Sequence, residues 1–135
     1  MSEDESKFLV RLQGTFSREV LAIAATMRAL LQEIQATQAA GDCAPLLHQL
    51  AHTVHSLKGA AGAIDQHELA YLSRSLEQVL AGLQCDSRQI PDAFFTLFRQ
   101  SIALIERMAR TDDTGNAIVI PHSLVEEIHR FADAR

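Results

Sequence analysis

This sequence of 135 residues contains few of the residues that sheet-rich or disulfide-rich folds depend on. It has no tryptophan, one tyrosine, three prolines and two cysteines. No convincing run of alternating apolar and polar residues indicates strands, whereas leucine and alanine dominate, as is typical of an all-α protein. The length fits one domain with a single core.

Basic residues are also in the minority, with 12 against 17 acidic ones and a net charge of -5. This balance argues against nucleic acid as a partner, because proteins that bind the phosphate backbone carry basic patches. No apolar run approaches the roughly 20 residues of a membrane-spanning helix, and the acidic N-terminus lacks the parts of a signal peptide. Cys43 and Cys85 are isolated rather than paired in a CxxC motif. We therefore expect a cytoplasmic protein with incidental thiols and no membrane contact.

Four successive segments carry apolar residues at alternating steps of three and four, the pattern of amphipathic helices. They run from about residues 5 to 38, 45 to 64, 65 to 85 and 91 to 110. Gly14 and Thr15 interrupt the first pattern and would bend or split that helix. Asp65 and Glu68 form a capping-box pattern at the start of the third. Short connections between the segments predict an antiparallel up-down four-helix bundle over residues 1–110.

Residues 111–135 form a separate C-terminal extension in this interpretation. Residues 111–116 have the composition of a flexible break, and residues 117–120 form a short extended run. Pro121 could open a last helix, whose apolar face would consist of Leu124, Val125, Ile128 and Phe131. This extension either caps the bundle or begins a connection to another part of a larger protein.

The second segment carries the stretch that suggests a function. On a helix, His55, Lys58, Gly59 and Gly62 fall along one surface strip. That strip is rotated by roughly 100° from the core stripe, so it flanks the core and meets solvent. A glycine inside a helix costs roughly 1 kcal/mol relative to alanine, so two of them suggest the close approach of another body. A histidine and a lysine on a face without bulky side chains suit the handling of phosphoryl groups.

The stretch from His55 to Gly62, with the sequence HSLKGAAG, resembles the motif of histidine-containing phosphotransfer (HPt) domains. These domains of bacterial phosphorelays share the pattern His-x-aliphatic-Lys-Gly followed by small residues. Leu69 and the pair Leu76-Glu77 also match positions where the family has leucine and then leucine or methionine before glutamate. The chain departs from the pattern at Asp65, where the family commonly has glycine. The resemblance implies a four-helix bundle with the phospho-accepting histidine on its second helix.

Specific roles follow from the resemblance for five residues. His55 would accept a phosphoryl group through Nε2, since histidine keeps a large neutral fraction near neutral pH. Lys58 would partly neutralise the phosphoryl oxygens. His52, Gly59 and Gly62 would form the partner-binding surface. The implied partners are response-regulator receiver domains and a hybrid sensor histidine kinase, and the implied protein is a monomeric phosphocarrier without kinase activity of its own. It needs no cofactor or metal, because the receiver supplies the Mg²⁺.

Three alternatives remain open from the residues alone. His48, His52 and His55 could form a ladder of metal ligands, although no carboxylate accompanies them at the Glu-x-x-His spacing of bundle sites. The same face could instead belong to a helical docking module that carries no phosphoryl group. Glu77 is either a solvated surface charge or a group that reaches across to His55, because the register between helices is not readable from one sequence.

Overall fold

The computed structural model describes residues 2–38, 41–63, 67–84, 90–110 and 120–133. Five α-helices form over these ranges: α1 (Glu3–Thr37), α2 (Ala44–Ala63), α3 (His67–Gln84), α4 (Asp92–Arg110) and α5 (His122–Asp133). The all-α prediction is therefore confirmed, including the additional C-terminal helix. Within the described residues, none of the helices is long and apolar enough to cross a membrane.

The first helix is nearly twice as long as α2, α3 and α4. A capping box starts it: the Ser2 hydroxyl accepts the Glu5 N–H, and the Glu5 carboxylate accepts the Ser2 N–H. The helix continues through Gly14, so it is not split there into two helices. Its 35 residues span about 52 Å at 1.5 Å per residue, against roughly 30 Å for α2. Its first core residue in the described positions is Phe16, while Leu12, placed in the core stripe by its spacing, is 40% exposed.

Helices α1 to α4 form the antiparallel four-helix bundle that the sequence pattern predicts. Helix α1 packs against α2 and α4, and α2 packs against α3. The largest side chains that are almost completely buried come from all four helices: Met27, Ile34, Leu47, Leu50, Leu57, Leu69, Leu72, Leu76, Leu80, Phe94, Phe95 and Phe98. Complete burial of one such side chain stabilises a fold by about 1.5–3 kcal/mol before entropy is counted, so this core dominates the stability of the bundle.

The C-terminal helix belongs to the same core. Helices α3 and α4 touch each other least among the neighbouring pairs of the bundle, and α5 lies against both. Ile120, Leu124 and Ile128 are buried there, and the Phe131 ring packs against Phe94 with centroids 6.2 Å apart. Helix α5 thus fills the groove between α3 and α4 and packs onto the bundle.

The start of α2 shows how its local sequence fixes the chain. An Asp42 carboxylate oxygen accepts the Ala44 N–H at 3.0 Å, an Asx-turn contact that satisfies the first backbone N–H of the helix. Cys43 is completely buried, and its thiol donates to the Ile34 carbonyl. Burial, and then the nearby Asp42 charge, raise the pKa of this thiol. The predicted cap at Asp65, the second cysteine and the predicted break and extended run at 111–119 lie outside the described residues.

Candidate functional site

Two faces of α2 have opposite surroundings. Its core stripe of Leu47, Leu50, Val54, Leu57 and Ala61 is completely buried. The neighbouring strip of His48, His52, His55 and Gly59 is exposed. The one-residue offset between the two sets therefore produces the predicted geometry, a histidine-bearing strip beside a packed core. The buried stripe holds α2 rigidly, and this rigidity fixes the direction in which His55 projects.

Glu77 of α3 holds the imidazole of His55. The Nδ1 atom of His55 lies 2.7 Å from a Glu77 carboxylate oxygen, Oε1. An ionised carboxylate can only accept hydrogen bonds, so Nδ1 carries the proton and donates it to this contact. In the neutral ring the Nε2 atom then keeps a free lone pair. The side chain of His55 is 68% exposed, so this nucleophilic atom is accessible to a partner.

The same carboxylate also contacts Lys58. The Nζ atom of Lys58 lies 3.5 Å from the second oxygen of Glu77, Oε2. The Glu77 carboxylate, which is 23% exposed, therefore lies between two proton-donating groups of α2, the His55 imidazole and the Lys58 ammonium. The lysine follows the histidine by one helical turn, so both project toward α3 from the same side of α2. The three side chains form one hydrogen-bonded cluster that presents a nucleophile and a cation to solvent. We call it the His55 cluster.

Gly59 leaves the surface beside the His55 cluster without a protruding side chain. A Cβ atom added at Gly59 would meet no other atom within 4 Å, so internal packing does not require a glycine there. Its φ is not in the left-handed range that favours glycine either. A helix-interior glycine that neither packing nor backbone geometry needs is consistent with clearance for an approaching molecule. Gly62 lies within α2 as predicted.

The other histidines of the strip do not join the cluster. His48 and His52 are exposed, and the His52 carbonyl accepts a hydrogen bond from the Ser56 hydroxyl. No group of three or more His, Cys, Asp or Glu side chains in the described part of the chain is placed to hold a metal ion. The ladder of His48, His52 and His55 therefore does not form a metal site in this structure.

The sequence alone does not decide whether Glu77 joins the His55 cluster, and it does not indicate the cleft that lies beside that cluster. Glu77 reaches His55 rather than facing solvent alone, a result that depends on the register between α2 and α3. A cleft of about 260 Å³ next to the cluster is lined by Lys58 of α2 and by His67, Ala70, Tyr71 and Arg74 of α3. The spacing of three between Arg74 and Glu77 places both on one face of α3 and could have indicated the arginine.

Comparison with known protein families shows which family this chain belongs to. The family model described as Hpt domain matches residues 11–113, which is most of the chain. The match includes the whole of α2, α3 and α4 and therefore the whole His55 cluster. No curated protein and no solved structure matches the chain significantly.

Proposed function

We propose, from the premise that this chain belongs to the Hpt domain family of two-component signalling, that His55 is its phosphoryl carrier. The histidine accepts a phosphoryl group from the phospho-aspartate of one receiver domain and passes it to another response regulator. A hybrid sensor histidine kinase is the expected source. The observation that carries this proposal is the 2.7 Å contact between His55 Nδ1 and Glu77, which leaves Nε2 exposed and unprotonated in the neutral ring.

The proposed step follows from the tautomer. The Nε2 lone pair forms the new N–P bond while the O–P bond of the acyl phosphate breaks, and the aspartate carboxylate leaves with the bonding electrons. The imidazole ring becomes positively charged, because it keeps its Nδ1 proton. Glu77 accepts that proton in a hydrogen bond and stabilises the charge, since charge-assisted hydrogen bonds are roughly twice as strong as neutral ones. The reverse step regenerates neutral histidine.

Lys58 supplies the second electrostatic contribution. Its ammonium group is within one helical turn of His55 and is only loosely held by Glu77 at 3.5 Å. A point charge on a flexible stem can turn toward the negatively charged phosphoryl oxygens on the ring. The Mg²⁺ needed for the exchange would come from the receiver. The chain then acts as a phosphocarrier that borrows the catalytic groups of its partner.

Receivers would dock on the exposed face around His55, with His52, Gly59 and Gly62 as contact positions. The missing side chain at Gly59 allows the loops of a receiver to approach Nε2. Exchange with several receivers favours a monomer, since a dimer interface over this face would block it. The alternative of a docking module without phosphoryl transfer uses the same surface, and the chemistry at His55 separates the two.

The first test is direct phosphorylation of the purified chain. Phosphoramidate, a small donor that phosphorylates histidine, should add one phosphoryl group to His55, detected by intact mass and by the modified peptide. That group should be labile to acid and should pass to a receiver domain. His55→Gln should abolish labelling, because the amide has no nucleophilic lone pair, while the helical circular dichroism spectrum is unchanged.

His52→Gln serves as the matched control, because it removes an exposed histidine from the same strip, one turn earlier. It should still be labelled by phosphoramidate. Labelling that persists in His55→Gln would contradict the assignment of the carrier residue. A wild-type chain that takes no phosphoryl group from either phosphoramidate or a phosphorylated receiver would leave the docking module as the function.

A further inference from the structure

Basic side chains line the cleft beside the His55 cluster, although the protein as a whole is acidic. Lys58, His67 and Arg74 line it, together with Ala70 and the ring of Tyr71. Among the described residues that line it there is no carboxylate, although the chain as a whole carries a net charge of -5. A concave site that gathers basic side chains in this way attracts an anionic group.

Lys58 and Arg74, the permanent cations among the described residues of the cleft, differ in their ion pairs. Lys58 contacts Glu77 and is 38% exposed. Arg74 is exposed and forms no ion pair within the described part of the chain. Its planar guanidinium can bind a carboxylate through two parallel hydrogen bonds, a geometry that lysine cannot offer. Arg74 is therefore the residue of the cleft that is best suited to recognise an anion from outside.

The opposite wall of the cleft is held in place by the C-terminal helix. The Tyr71 hydroxyl and His129 Nε2 of α5 are hydrogen-bonded at 3.2 Å, and their rings meet edge to face. Tyr71 lines the cleft and remains 40% exposed, while its hydrogen bond to α5 fixes its position. The cleft is thus bounded on one side by α2 and on the other by a side chain anchored from α5, which indicates a shaped recess rather than a group of mobile surface charges.

We propose that this cleft binds an acidic side chain of the receiver domain that docks at His55, with Arg74 as the residue that selects it. The inference rests on the proposed function, since it needs a receiver on the α2–α3 face. Lys58 belongs both to the cleft and to the His55 cluster, so a protein seated over His55 covers the cleft as well. His55 itself is not among the lining residues, which separates the cleft from the position of the transferred phosphoryl group.

The test compares two phosphoryl donors on one variant. The receiver used is the one from the source genome that, charged with acetyl phosphate, transfers fastest to the wild-type chain. Arg74→Glu should lower kcat/KM for transfer from that receiver roughly tenfold. The new carboxylate would lie beside the acidic side chain of the docked receiver and repel it. Labelling of His55 by phosphoramidate, which needs no docking, should stay within about twofold of wild type.

Arg99→Glu is the matched control for net charge, since Arg99 is exposed and bonds to Gln35 at the α1–α4 side of the bundle. It should leave both rates unchanged. Lysine substitutions at the receiver's acidic residues, made one at a time, should reveal one that restores transfer to Arg74→Glu. Arg74→Gln should show a smaller loss of transfer, and circular dichroism checks that each variant is folded.

Three results would overturn the proposal. Transfer to Arg74→Glu within twofold of wild type would show that no acidic group of the receiver uses the cleft. An equal loss with both donors would place Arg74 at the chemistry of His55 rather than at docking. A wild-type chain that is labelled by neither donor would remove the proposed function itself, and with it the receiver on which this inference depends.

Discussion

Two carboxylates bridge neighbouring helices of this bundle, and they do so in different ways. Glu106 of α4 binds Arg28 of α1 through two hydrogen bonds, with N···O distances of 2.6 and 3.3 Å. Glu77 of α3 is shared between His55 and Lys58 of α2. The hydrogen bond from Arg28 lowers the pKa of Glu106, and partial burial opposes this effect. Glu106 and Arg28 thus satisfy each other, whereas Glu77 keeps two different side chains in place.

The two pairs differ in how much of each remains available to another molecule. A bidentate arginine–carboxylate pair has a fixed geometry, in which both carboxylate oxygens already accept a hydrogen bond. The His55 cluster instead leaves its histidine 68% exposed and its lysine at 3.5 Å, so both remain available to another molecule. Substitutions in the two places should therefore have opposite consequences: loss of phosphoryl transfer with little loss of stability at Glu77, and the reverse at Glu106.

The largest effect is expected at Glu77. Glu77→Ala removes the acceptor for the Nδ1 proton, and a charge-assisted hydrogen bond contributes about 1.5–3 kcal/mol. We expect the rate of His55 phosphorylation by phosphoramidate to fall roughly tenfold or more. Glu77→Gln keeps an acceptor oxygen without the charge and should recover part of that rate. This graded recovery identifies a positioning residue, and equal rates in wild type and Glu77→Ala would contradict the mechanism.

A second prediction concerns the open surface at Gly59. Gly59→Leu should slow transfer from a phosphorylated receiver about tenfold, because its side chain projects into space that the receiver needs. Phosphoramidate, which is small, should still label His55. Gly59→Ala should raise the free energy of unfolding by about 0.5–1 kcal/mol in urea denaturation, since nothing lies within 4 Å of the added Cβ. Unchanged receiver transfer in Gly59→Leu would show that the glycine serves no partner.

Local patterns predicted the helices and the exposed strip on α2, because both depend on spacing along one helix. Contacts between helices were harder to predict. The hydrogen bond between His55 and Glu77 depends on the register between α2 and α3, and spacing along the sequence does not determine that register. Ser73, a polar residue one turn before Glu77 on α3, is buried and donates to the Leu69 carbonyl, which its spacing along the helix does not reveal. The role of α5 was undecided for the same reason, since its apolar face alone does not say which groove it fills.

The smallest effect is expected at Glu106 and concerns stability alone. Glu106→Gln should lower the free energy of unfolding by roughly 0.5–1 kcal/mol at pH 7, the usual range for a partly exposed ion pair, and leave transfer to and from His55 unchanged. Because Arg28 lowers the pKa of Glu106 below its ordinary value of 4.5, the folded chain keeps this carboxylate ionised at pH values where the unfolded chain is protonated. The stabilisation is therefore complete above about pH 4.5, and it disappears as the pH falls through the pKa of Glu106 in the folded chain. Urea denaturation of both proteins between pH 7 and pH 3 measures this difference. A gap between them that stays constant over that range would contradict the assignment of the pair as a source of stability.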